Sequence, residues 1–177
     1  MLSDSIIELI PPSLDIAEEI RDALSESYEL HKTYLPWAVP KPELEEVRSN
    51  IVKALENFEN HEIEYRFFIR RLKDMKIVGC IGLRIPDIKN GHYEIGYWAR
   101  ASEQRKGYIA RAVNLIEEYA KNVVGAVLVR IKTAESNTAS RKIAGNAGYQ
   151  LERIIESNRK LPTGEPDSTY VYFKTYT

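Results

Sequence analysis

The chain has 177 residues, 44% of them hydrophobic and 29% charged, which is enough to bury a core without disulfide or metal staples. Its formal net charge of -1 gives no global field for nucleic acid, so direct nucleic-acid binding is not expected. One cysteine, Cys80, excludes an internal disulfide, and the scattered His31, His61 and His92 make no ligand spacing, so no metal is expected. No basic region followed by an apolar run opens the sequence, and no stretch approaches membrane-spanning length. A single cytoplasmic domain over residues 1–177, with no membrane contact, is the expectation.

In chain order, residues 6–10 form an apolar run closed by Pro11-Pro12 and suit a first strand. Ser13 or Asp15 then caps a helix that carries Ile16, Ile20, Ala23, Leu24 and Ser27 at helical spacing. Two prolines keep residues 34–40 out of a helix, and a second helix follows Pro42 to about Phe58. Residues 65–72 and 76–85 are strand-like and flank a turn at Lys73-Asp74-Met75. In the second run, period-2 alternation places Ile77, Gly79, Ile81, Leu83 and Ile85 on one face. Asn90-Gly91 turns the chain into residues 92–99, with Tyr93, Ile95 and Tyr97 on one face and His92, Glu94, Gly96 and Trp98 on the other.

The segment after Gly107 has the clearest helical pattern. Ile109, Ala112, Val113, Ile116 and Ala120 form one stripe, and Arg111, Asn114, Glu117, Glu118 and Lys121 face away. A strand over residues 126–133, a helix beginning at Asn137 and ending before Gly148, and strands over residues 149–160 and 169–176 complete the order β-α-α-β-β-β-α-β-α-β-β. Three strands in hairpin succession followed by helix-linked ones imply an α/β fold, a mixed seven-stranded sheet with helices on both faces.

The turn at residues 104–110, Gln-Arg-Lys-Gly-Tyr-Ile-Ala, stands at the mouth of that clearest helix. Free backbone N–H groups at a helix start hold phosphates, and small Gly107 and Ala110 permit close approach. Arg100, Arg105, Lys106 and Arg111 cluster around it, without the Gly-x-x-x-x-Gly-Lys spacing of a P-loop. Asn137 is a strong helix cap, and Ser140 shares its face one turn on.

Glu94-Ile95-Gly96-Tyr97-Trp98, the 104–110 turn, Asn137-Thr138-Ala139-Ser140 and Gly148-Tyr149 together resemble the GNAT acetyltransferases. Leu35-Pro36-Trp37 and residues 158–172 extend the likeness to the RimJ/RimL branch. The resemblance implies acetyl transfer from acetyl-CoA to a primary amine, and a splay between the strand ending near Arg100 and the strand beginning near Ala126. It implies pantetheine along the edge of Tyr97, Trp98 and Ala99, and pyrophosphate on the amides of Arg105, Lys106, Gly107, Tyr108, Ile109 and Ala110, with Asn137 on the pantetheine side. Many members carry a tyrosine seven positions after the asparagine to protonate the departing thiolate; here that position is Ala144, so the acid is another group or water, and the resemblance to the RimJ/RimL branch makes Ser140 a candidate.

Glu94 is the candidate base, acting directly or through a water. Cys80, mid-strand between glycines and without a Cys-His arrangement, reads as a buried thiol, so direct attack in a ternary complex is expected. The resemblance implies that the loop carrying Tyr34 and Trp37 helps to line the acceptor pocket, with Arg84 as a further candidate. The acceptor implied by the branch is the α-amine of a protein, plausibly ribosomal; a polyamine or amino acid, or a non-catalytic acetyl-CoA-binding module, are the alternatives. Monomer and homodimer both stay open.

Overall fold

A computed structural model describes residues 2–176. The strands are β1 (Ile7–Ile10), β2 (Glu64–Arg71), β3 (Ile77–Asp87), β4 (His92–Ala99), β5 (Leu128–Ala134), β6 (Gln150–Lys160) and β7 (Pro166–Thr175). The helices are α1 (Ala17–Glu26), α2 (Tyr28–His31), α3 (Leu44–Asn60), α4 (Tyr108–Asn122) and α5 (Thr138–Asn146). The expected element order is present, with α2 added as a single turn beyond Ser27 at the end of α1. The strands join in one sheet, β1-β2-β3-β4-β5-β7-β6, in which only β4 and β5 run parallel.

Each face of the sheet has its own helical layer. The α4 stripe of Ile109, Ala112, Val113, Ile116 and Ala120 is wholly buried and packs with Phe67, Ile81, Leu83, Ile95 and Ile131. On the opposite face Ala17, Ile20, Val47 and Ile51 of α1 and α3 pack with Phe68, Ile77 and Cys80. A fully buried Ile or Leu contributes about 1.5–3 kcal/mol, and this stripe ties α4 to β3, β4 and β1.

Two expectations about faces need correction. Ile77 does not share a face with Ile81. The β2–β3 register shifts between Ile69 and Arg70, so Ile77 packs with α1 and α3 while Val78 joins the α4 layer. A Cβ on Gly79 would come within 2.5 Å of the Trp98 carbonyl oxygen, so this shift needs a glycine. Glu117 does not face solvent either. It is buried and accepts hydrogen bonds from Lys174 Nζ and Tyr176 Oη, each at 3.1 Å, as these two side chains reach it from the C-terminal end of the chain.

The sheet has two edges of different build. β1 is only four residues long. β6 is long but shifts register between Leu151 and Arg153 and again between Ile155 and Arg159.

Candidate active site

The parallel pairing of β4 with β5 covers four residue pairs, from His92↔Leu128 to Ile95↔Ile131. Beyond them β4 continues beside β3 as far as Ala99↔Gly79, while β5 continues beside β7 as far as Ala134↔Thr169. The two strands part, and a cleft opens in the middle of the sheet. Arg100 N–H donates to the Val78 carbonyl at 2.9 Å. Backbone direction alternates along a strand, so the N–H and C=O of Trp98 face β3, and those of Tyr97 and Ala99 face the cleft. His31 Nε2 already donates to the Ala99 carbonyl at 2.9 Å. Tyr97 N–H, Tyr97 C=O and Ala99 N–H face the cleft beyond the last β4–β5 pair, Ile95↔Ile131, where an amide-bearing guest would pair as a short strand does. Trp98 thus enters the site through its side chain, which lies on the α1–α3 face edge-on to His31 at 5.3 Å between ring centroids.

The turn before α4 is shaped as an anion cradle. Arg105 and Gly107 both take left-handed φ, 60° and 79°, on either side of Lys106, and such alternation turns successive amides inward. Gly107 offers no side-chain cap and the first turn of α4 holds no acidic residue; the first helical bond runs from Arg111 N–H to the Gly107 carbonyl at 3.1 Å. Among the described residues, no acceptor engages the amides of Arg105, Lys106, Gly107, Tyr108, Ile109 or Ala110.

The cations nearby contribute less than the sequence suggests. Arg100 is paired with Glu26 at 2.8 Å, Arg111 with Asp4 at 2.8 Å and Lys106 with Glu103 at 2.8 Å. Among the described residues Arg105 is the one of these four without an ion pair. An anion placed in the cradle would therefore meet mainly backbone amides.

Glu103, which sequence reasoning missed, anchors this turn from beneath. Its buried carboxylate also binds Arg71 Nη1 at 2.7 Å and Lys76 Nζ at 2.9 Å, and Arg71 reaches on to the Tyr108 hydroxyl at 3.1 Å. Burial works to raise the Glu103 carboxyl, but hydrogen bonds from Lys106 and Lys76 and the charge of Arg71 outweigh it and bring it down to about 2. A carboxyl depressed by folding stabilises the fold at pH above its unfolded value, and that contribution is lost as pH falls through about 2. Glu103→Gln is expected to lower the thermal midpoint at neutral pH by about 3–6 °C. It should also flatten the dependence on pH below about 4. Fluorimetric melts across this range check both, and an unchanged acid slope would show that these cations do not act on Glu103.

Across the cleft, Asn137 Oδ1 accepts from Ser140 N–H at 3.1 Å, so Asn137 caps α5. Ser140 is buried, and its Oγ lies 2.8 Å from the Tyr97 hydroxyl. Burial pushes the Tyr97 phenol up to about 12, against the opposing hydrogen bond from Ser140. Ala144 is fully buried in the α5 packing face. A phenol does stand beside α5, but it comes from β4 rather than from α5 itself.

Glu94 projects to the other face, the one that carries Trp98. Its carboxylate, 14% exposed, lies between Arg84 Nη1 at 3.5 Å and Lys132 Nζ at 2.6 Å. Trp37, half exposed, stands 6.2 Å from His31 by ring centroids. The Tyr34 carbonyl accepts from Arg159 Nη2 at 3.2 Å, which ties the loop after α2 to β6. Glu94, Arg84 and the Tyr34–Trp37 loop thus share one face of the cleft, while Tyr97, Ser140 and Asn137 meet at the other. Cys80 is buried, and its thiol is pushed up to about 12 by desolvation.

Comparison with known proteins places the chain in a family. The family model described as an acetyltransferase (GNAT) domain matches residues 7–150. The ribosomal-protein-serine acetyltransferase of Escherichia coli (strain K12) is 26% identical over 152 residues, 83% of this chain and 84% of that protein. The uncharacterized N-acetyltransferase p20 of Bacillus licheniformis is 26% identical over 95 residues, 54% of this chain, and the match spans about half (53%) of that relative's length. The crystal structure of the microcin C7 self immunity acetyltransferase MccE, in complex with acetyl-CoA and AMP, is 26% identical and superposes with a TM-score of 0.87 over 98% of this chain and 94% of that one.

Proposed function

The chain belongs to the GNAT acetyltransferases, and we propose that it moves an acetyl group from acetyl-CoA to the α-amine of a protein by direct attack in a ternary complex. The observation that carries this reading is the parting of β4 from β5 after Ile95, with open backbone groups on one wall and an amide cradle at the end of the same wall. Such a cleft accepts an extended arm with two amides, and the cradle takes the diphosphate at its far end. Likeness to the ribosomal-protein-serine acetyltransferase is consistent with the RimJ/RimL branch and supports a protein acceptor.

In this reading the two faces of β4 divide the chemistry. At neutral pH an amine is mostly ammonium and must lose a proton before it attacks the thioester carbonyl. Glu94, on the α1–α3 face with Trp98 and the Tyr34–Trp37 loop, takes that proton directly or through a water. The Tyr97 N–H, open to the cleft, polarises the carbonyl as its oxygen gains charge. On the opposite face the Ser140 hydroxyl, with Tyr97 Oη behind it at 2.8 Å, meets the departing thiolate.

Magnitudes set the role of that pair. A thiol titrates near 8.5, whereas the Tyr97 phenol stands at about 12. Full proton transfer would be uphill by roughly 3–4 pKa units, or about 5 kcal/mol. Ser140 and Tyr97 therefore stabilise the thiolate by hydrogen bonding, and solvent completes its protonation. With Cys80 buried, no acyl-enzyme forms.

The test is thioester consumption with a panel of N-terminal peptides, polyamines and amino acids. Peptides are expected to be the best acceptors, with intersecting initial-velocity lines. Parallel lines would contradict direct attack, and a polyamine as best acceptor would contradict the protein substrate. Tight acetyl-CoA binding without any turnover would favour a non-catalytic binding module.

A further inference from the structure

We propose that the basic part of the sheet beside Glu94, beyond the reach of α1 and α3, recognises an acceptor peptide whose residues just after the N-terminal one are acidic; this rests on the protein α-amine reading above. The helical layer of α1 and α3 packs on β3 and β2 and does not extend to a comparable degree over β5, β7 or β6. The register fixes which side chains share that face, because residues directly opposite in neighbouring strands point the same way. Arg84 and Arg130 both lie opposite Glu94, in β3 and β5. Lys132 and Arg153 both lie opposite Val171, in β5 and β6. One continuous face from β3 to β6 thus presents Arg84, Arg130, Lys132 and Arg153.

Glu94 and Glu152 accompany these four cations, and Glu64 of β2 lies opposite Arg84; Glu94 and Glu152 lie deeper than Arg84, Arg153 and Lys132, while Arg130, 23% exposed, lies as deep as they do. Arg84, Arg153 and Lys132 side chains are 56%, 52% and 42% exposed, whereas Glu94 and Glu152 are 14% and 26% exposed. Arg130 holds Glu152 in a two-pronged pair at 2.7 and 2.9 Å. The outer surface is therefore cationic, and the carboxylates sit at its floor. A plain cationic amine that approaches Glu94 meets Arg84 and Lys132 on either side of its target. An acceptor with its own carboxylates turns that repulsion into attraction and fixes its direction along the face.

Spacing sets where those carboxylates belong. From β4 to β6 is three strand steps in the order β4-β5-β7-β6. At ~4.8 Å each these span about 14 Å, which an extended peptide at ~3.3 Å per residue covers in about four residues. With the amine at Glu94, acidic side chains at about the second to fifth positions pass over Lys132 and reach Arg153.

The experiment compares three pentapeptide acceptors of one length and one N-terminal residue: Asp/Glu at positions two to five, the Asn/Gln isosteres, and Lys at the same places. Turnover is followed by CoA release, and binding of labelled peptides to the CoA-loaded protein is followed by fluorescence anisotropy. Binding and kcat/KM are expected to fall about tenfold from the acidic peptide to its amide isostere, the sum of several ion pairs each worth a few-fold, and the gap should close at high salt. Arg153→Glu should remove most of the preference while the KM for acetyl-CoA stays the same. Equal binding of acidic and amide peptides, or tighter binding of the Lys peptide, would overturn the inference and leave acetyl transfer standing. Acidic-selective binding without turnover would sink the enzymatic reading and not this one. A free amino acid that is a better acceptor than any peptide would overturn the peptide as occupant.

Discussion

Glu94→Gln is expected to lower kcat/KM for the amine about a hundred- to a thousandfold while the KM for acetyl-CoA stays within about twofold. Glutamine keeps the size of the side chain between Arg84 and Lys132 but cannot take a proton. The acid limb of the pH–rate profile should disappear with it, since that limb reports the base. Ser140→Ala provides the contrast, with a fall of about tenfold in kcat, because it removes one hydrogen bond to the thiolate and leaves the proton route from the amine intact. Steady-state kinetics of both variants across pH check this pair of outcomes. A Glu94→Gln protein with an unchanged profile would remove Glu94 from the chemistry and leave it as a floor for the cations above it.

Gly107→Glu is expected to weaken acetyl-CoA binding by at least about a hundredfold, or about 2.7 kcal/mol, measured by titration calorimetry. Two causes add. The left-handed φ of 79° costs a side chain about 1–2 kcal/mol, and the new carboxylate stands where the diphosphate belongs. Packing is not a third cause, because no atom lies within 4 Å of a Cβ built at this position. Gly107→Ala separates the two, with a loss of about tenfold from backbone strain alone. Full affinity in the glutamate variant would mean that the amides of residues 105–110 do not hold the coenzyme.

Much of this architecture was legible in the sequence, for physical reasons that differ from element to element. The α4 stripe from Ile109 to Ala120 announced itself by its period, and burial of every member follows from it. Gly107 was legible as a small residue at a helix mouth that permits close approach, and its left-handed φ of 79° is what the structure adds. What stayed hidden depends on neighbours that no local pattern names. Glu103 looks like any exposed acid in a turn until β2 and β3 bring Arg71 and Lys76 to it. His31 meets the Ala99 carbonyl across 68 positions of sequence. Tyr97 was legible as backbone on an open strand edge, and only the packing of α5 shows its hydroxyl against Ser140. The β2–β3 register shift defeated simple alternation at Ile77, since a single shift exchanges the two faces from that point on.

The double register shift in β6 has a bearing on how the chain behaves among copies of itself. A flat, unpaired outer strand is a template for another chain, and this one carries Leu151 and Ile154 in exposed positions. Between the two shifts only Arg153, Ile154 and Ile155 keep unbroken pairing with β7, so the outward row of amides and carbonyls is bent at both ends of a three-residue run. The other rim, β1, is four residues long. Neither rim gives an incoming strand a straight ladder to extend, and the sheet is protected at both borders against runaway stacking into fibres.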